Sequence, residues 1–143
     1  MTRKTVIILA AVIILCVFFT ACSSGSSESA PGMEPVSGIS GVYADLDSVS
    51  GTGCRLIIAG DPHFEIANVF LVYDITGAGE EVLLEPTPDF SQIHGTNISE
   101  SGIAVNYNWG SLYGSLPRGQ YRIMFTLLEG NASTSFFRDF TIH

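Results

Sequence analysis

Lysine is nearly missing from this 143-residue chain: Lys4 stands alone, and every other cationic side chain is arginine. Six Lys and Arg side chains face 14 acidic ones, for a formal charge of −8. Past residue 22 the only cations are Arg55, Arg118, Arg122 and Arg138, so a chain starting there would carry about −10. That scarcity argues against nucleic acid as a partner, because displacing phosphate counterions takes clustered cations. It argues equally against electrostatic binding to anionic lipid. The acidity reads as a solvated, soluble extracellular surface in preference to an acidic docking face.

Cysteine is scarce too, at Cys16, Cys22 and Cys54. The first two lie in or beside an apolar N-terminus, so Cys54 has no partner for an internal disulfide. Despite a mean hydropathy of +0.36, a long apolar run occurs only once, over residues 6–19. As a helix, about 14 residues span roughly 21 Å, short of the roughly 30 Å hydrocarbon core. The run follows Arg3 and Lys4 and ends in small residues, which describes a secretory signal and not a spanning anchor. Ordinary signal cleavage after Ala21 would place bulky Phe19 at −3, and cleavage after Ser24 leaves Cys22 unexplained.

The tetrapeptide Phe19-Thr20-Ala21-Cys22 resembles the lipobox of bacterial lipoproteins, with Phe19 where that family usually carries an aliphatic residue. The resemblance implies that residues 1–21 are a lipoprotein signal peptide and that Cys22 is lipidated and becomes the mature N-terminus. Its sulfur would then be a thioether, neither redox-active nor a metal ligand. Each buried methylene contributes about 0.8 kcal/mol, and one acyl chain holds only marginally, so a diacylglyceryl group supplies stable attachment. The expected location is the cell membrane, with the domain on the extracytoplasmic side.

Residues 22–38 comprise this cysteine and a stretch of Ser, Gly, Pro and Glu with few large apolar residues. They read as a flexible, disordered tether, with a root-mean-square reach of roughly 20–25 Å for about 16 residues. From 39 to 143 apolar residues alternate with period 2, the signature of half-buried strands. One face collects Cys54, Leu56 and Ile58, and another Val69, Leu71, Tyr73 and Ile75. Further sets are Ile103, Val105, Tyr107 and Trp109; Tyr121, Ile123, Phe125 and Leu127; and Phe140 with Ile142. Shorter strands are expected around residues 42–46 and 81–84. Turn chemistry separates them at Gly51-Thr52-Gly53, Gly60-Asp61-Pro62, Thr76-Gly77-Ala78-Gly79, Pro86-Thr87-Pro88 and Glu129-Gly130-Asn131. About seven strands without a long 3.6-residue period predict an all-β, two-sheet sandwich. A domain of this size buries about two-thirds of its unfolded surface and needs no covalent staple.

Residues 109–123 narrow the fold. Leu116-Pro117 and Gly119 precede Tyr121, which opens an alternating strand. In immunoglobulin-like sandwiches a tyrosine at this place bonds back to upstream backbone and closes a corner between strands. Pro117 would fix the approach and Gly119 supply the tight turn, which makes Pro117, Gly119 and Tyr121 structural. The run Trp109, Tyr113-Gly114, Leu116-Pro117, Gly119-Gln120-Tyr121-Arg122 resembles a family of bacterial immunoglobulin-like domains in secreted and lipid-anchored proteins. The likeness extends more weakly over residues 41–142 and departs in the polar excursion of residues 89–101. It implies a fold and an exported location but no common activity.

Chemistry-bearing motifs are absent where they would be needed. Asp45-Leu46-Asp47-Ser48 invites a calcium reading, but an EF-hand loop needs Gly and Glu where Ser50 and Leu56 stand. His63, His94 and His143 have no metal-type spacing; a site would require the fold to bring Asp61, His63 and Glu65 beside His94. Gly110-Ser111-Leu112-Tyr113-Gly114 has its serine second, not third, so it is no nucleophile elbow. The carboxylate pairs Glu80-Glu81 and Glu129 with Asp139 carry no sign of raised pKa. The sequons at Asn97 and Asn131 are discounted in a bacterial export context. No catalytic residue, metal or cofactor is indicated.

The expectation is a non-catalytic, lipid-anchored interaction module whose partner is an envelope protein or glycan. One alternative is a carbohydrate-binding or hydrolytic domain using an exposed aromatic platform of Tyr107, Trp109, Tyr113 and Phe136-Phe137. Their alternation favours a core role instead. Another alternative is a structural or stress-related envelope protein with no dedicated ligand.

Overall fold

The computed structural model describes residues 32–143. The expected signal peptide, Cys22 and most of the segment expected to be a tether therefore lie outside the described residues. The strands in chain order are β1 (Glu34–Pro35), β2 (Tyr43–Ser50), β3 (Gly53–Ala59), β4 (Glu65–Ile75), β5 (Glu81–Leu83), β6 (Gly95–Asn97), β7 (Ile103–Asn108), β8 (Gly119–Glu129) and β9 (Ala132–Ile142). They form two antiparallel sheets, ordered β1-β2-β3-β7 and β5-β4-β8-β9, with β6 pairing β4 beyond the end of β5. The domain is an all-β sandwich. Two short helical turns interrupt it, a 3-10 turn at Phe90–Gln92 and the one-turn α1 at Gly110–Tyr113.

Alternation builds the core. On β8, Tyr121, Ile123, Phe125 and Leu127 point inward, and Arg122, Met124 and Thr126 alternate outward. Opposite them stand Cys54, Leu56 and Ile58 of β3 and Tyr107 of β7. Trp109 follows β7 and is fully buried; its ring stacks on Phe140 with centroids 5.3 Å apart. The β2–β3 turn fixes this corner through Gly53, where a Cβ would stand 2.5 Å from the Tyr107 carbonyl oxygen. Only glycine lets the two backbones approach so closely.

Three expectations change. Glu34 and Pro35 pair with β2, and Val36 lies in the core, so ordered structure begins inside the segment read as tether. The excursion of residues 89–101 contains strand β6. Most consequential is the phase of β4: Phe70 and Val72 enter the core, while Leu71, Tyr73 and Ile75 lie on the outer face. Ladder pairing shifts register between Ile66 and Phe70, where three intervening residues of β4 stand against one of β8. Every position from Val69 to Tyr73 is apolar, so period 2 alone assigns neither phase.

Candidate functional site

At the corner before β8, Tyr121 Oη donates a 3.0 Å hydrogen bond to the Pro117 carbonyl. Burial raises the phenol's pKa, with Asp74 adding a like-charge contribution. Gly119 is not a left-handed turn residue; it opens β8 opposite Ile142, and the nearby positive-φ glycine is Gly114 at +70°. Nor does space demand glycine, since an added Cβ would meet its neighbours at ordinary van der Waals distance. The Tyr121 ring lies over it, 3.4 Å from where a Cβ would stand.

Of the aromatics considered for a platform, Tyr107, Trp109 and Phe136 are buried, so they present no common stacking surface. Trp109 Nε1 donates to the Gly51 carbonyl at 2.7 Å. Phe137 alone among the large aromatics of that set is exposed, at 45%. The adjacent phenylalanines are divided by the strand alternation, one to the core and one to solvent.

One end of the sandwich brings together groups distant in sequence. The β3–β4 loop places His63 between Asp61 and Glu129, the last residue of β8. His63 Nδ1 is 2.6 Å from Asp61 Oδ1, and Nε2 is 3.1 Å from Glu129 Oε1. The bond to Asp61 and the two carboxylate charges raise the imidazole pKa. Asp61 is lowered in turn, first by the backbone N–H of His63 and then by its side chain. Beside this clamp lies an open cavity of about 450 Å³ whose lining includes Ile39, Phe64 and Thr134. Neither Glu65 nor His94 joins the clamp; His94 Nδ1 instead lies 3.3 Å from the Gln92 carbonyl. No group of three His, Cys, Asp or Glu among the described residues is placed to hold a metal.

The other candidate carboxylates are also dispersed. Asp47 pairs with Arg55 at 3.2 Å, and Asp45 accepts from the Leu46 N–H at 2.8 Å. Asp139 pairs with Arg122 and Glu129 with His63, so these two acids belong to different sites. The Gly110–Tyr113 segment is α1.

The sequence reading missed the outer face of the β5-β4-β8-β9 sheet. Its rows follow the register: Leu71, Met124 and Phe137 lie side by side, and so do Leu83, Tyr73, Arg122 and Asp139. Tyr73 and Phe137 have ring centroids 6.5 Å apart, and the Arg122 guanidinium stands over Phe137 at 6.0 Å. Arg122 donates to Asp139 at 2.6 and 2.9 Å and also to Glu81. These partners hold its pKa above the usual arginine range. The opposite sheet directs Arg55, Asn106 and Asn108 outward, the polar alternation expected of a solvated antiparallel face. Doubled apolar residues at Phe70-Leu71, Ile123-Met124 and Phe136-Phe137 were the available signal of a second apolar face.

Along the flank between the sheets, Arg138 closes an open groove of about 560 Å³ that Asp45, Leu46 and Val49 also line. Its guanidinium donates to the Ala44 carbonyl at 2.8 Å and the Glu34 carbonyl at 3.2 Å, and lies over Phe136. This arginine satisfies carbonyl acceptors on β1 and β2 and protects the flank. No described helix is long and apolar enough to cross a membrane. No family model matches this chain, and no curated protein or solved structure is significantly similar to it.

Proposed function

We propose that this chain is a bacterial lipoprotein: residues 1–21 direct export, Cys22 is the lipidated mature N-terminus, and an immunoglobulin-like sandwich follows on a short tether. The module is non-catalytic and mediates a protein or ligand interaction on the extracytoplasmic side of the cell membrane. Support for the immunoglobulin-like reading comes from strand partition. The β2-β3-β7 set against β5-β4-β8-β9 follows the A-B-E and C′-C-F-G division of such folds, with β6 added on the β4 edge. A tyrosine corner at the start of the F-equivalent strand agrees with it. Support for the anchor is the short apolar run ending at Phe19-Thr20-Ala21-Cys22.

The observation that carries the interaction role is exposed Phe137 on an outer face that it shares with half-buried Leu71, Tyr73 and Met124, since large exposed apolar patches mark interaction sites. Replacing Cys22 with Ala in exporting cells tests the anchor. The expected result is loss of the protein from the membrane fraction; unchanged membrane retention contradicts lipidation. Chemical crosslinking of intact cells tests the role. A reproducible adduct is expected, and its absence contradicts an interaction module.

A further inference from the structure

The outer face of the β5-β4-β8-β9 sheet combines three properties. Its centre is apolar and crosses three strands, through Leu71, Tyr73, Met124 and Phe137. Tyr, Phe, Met and Arg are the residue types enriched where protein interfaces concentrate their energy. Its arginine is already held in place: two bonds to Asp139 and one to Glu81 fix Arg122 across Phe137, which lowers the ordering cost of binding. Its charge is unbalanced, because this single cation meets two carboxylates. No lysine occurs among the described residues.

We propose that this face is the docking surface of the interaction module and that its partner is a protein with an apolar patch bordered by lysine or arginine. The proposal rests on the interaction reading above and adds to it the face and the partner's chemistry. Charge complementarity selects the occupant. A second copy would set the Glu81 and Asp139 rim against itself, with no unengaged cation on the face to offset the repulsion. A basic border would meet carboxylates that Arg122 only partly neutralises, while the partner's apolar centre covers Phe137 and Tyr73.

The test is site-specific photocrosslinking with the full chain in envelope membranes. A photoreactive benzoylphenylalanine is placed at position 137, at 106 on the outward face of the other sheet, or at 131 in the β8–β9 hairpin. Position 137 is expected to give one adduct with a different protein, whose crosslinked surface is rich in Lys or Arg. Position 106 is expected to give none. In 0.5 M salt the yield should fall several-fold, because exposed rim charges are screened. Tyr73→Ser should lower it about tenfold and Tyr73→Phe restore it, as expected of an aromatic anchor. An adduct with a second copy, with lipid, or with an acidic protein surface overturns the proposal. An adduct from 131 alone also overturns it but leaves the interaction reading standing. No adduct from any position rejects both.

Discussion

Tyr107 Oη donates a 2.8 Å hydrogen bond to the carbonyl of Ala67, joining β7 of one sheet to β4 of the other through the core. Ala67 lies inside the register shift between Ile66 and Phe70, where β4 leaves its regular ladder with β8. A bulge disrupts local pairing, and a buried carbonyl without a partner is costly. Tyr107 supplies the donor from the facing sheet. Its ring packs edge-on against Phe70, 5.6 Å away, just past the shift. The bulge, the inward phase of Phe70 and Val72, and the outward phase of Leu71 and Tyr73 thus belong to one arrangement.

Tyr107→Phe keeps the ring and removes the donor. Leaving the Ala67 carbonyl buried and unpaired should cost about 1–3 kcal/mol. Urea unfolding should show a lower midpoint with an unchanged slope. A midpoint equal to that of the parent would mean that the carbonyl finds another partner.

Tyr121→Phe removes the 3.0 Å bond to the Pro117 carbonyl, at the edge of the core instead of its centre. Water can reach part of this corner, so the expected loss is smaller, about 0.5–1.5 kcal/mol. Gly119→Ala would place a Cβ 3.4 Å from the Tyr121 ring, an ordinary contact, and should cost less than Tyr121→Phe. Both effects are read from the same unfolding curves.

The His63 clamp should respond to pH in a defined direction. Its pKa is raised, chiefly by the Asp61 side chain, so its contribution is complete below the ordinary histidine value near 6.5. That contribution is lost as pH rises through the higher folded-state value. Asp61 is lowered, so its share is present above the ordinary aspartate range and is lost as pH falls through the folded value. The link between the β3–β4 loop and the β8–β9 hairpin therefore holds between those two folded values. NMR titration should place His63 above 6.5, and Glu129→Gln should lower it. A titration at the ordinary value would contradict the clamp.

Cys54 is buried against the opposite sheet, and burial pushes its thiol up to about 12. The native protein should therefore resist thiol reagents at pH 8, since the thiolate is the reactive form. After denaturation the membrane-extracted protein should titrate as one thiol, because Cys22 would be a thioether and Cys16 removed with the signal. Two or three reactive thiols would contradict that processing.

Strand existence was legible wherever one face alone was apolar. Tyr121, Ile123, Phe125 and Leu127 read inward and are inward, as are Cys54, Leu56 and Ile58. In β4 the pattern failed because Phe70, Leu71, Val72 and Tyr73 are all apolar, and the phase depends on a bulge completed by Tyr107, some 40 residues away. The same ambiguity concealed the outer face: residues that suit a core in either phase also suit an exposed apolar surface. The His63 clamp was hidden for a different reason. Asp61 is two residues from His63, but Glu129 is 66 residues away and meets it only through sheet topology. Spacing rules see local ligands and not those a β-sandwich brings to one end.

Intact mass and N-terminal analysis of the protein extracted from membranes tests the central claim, that this sandwich is held at the envelope by a lipid on Cys22. The expected mature chain begins at Cys22 and carries the added mass of a diacylglyceryl group. A chain retaining Met1, or one beginning past Cys22 without lipid, would contradict it.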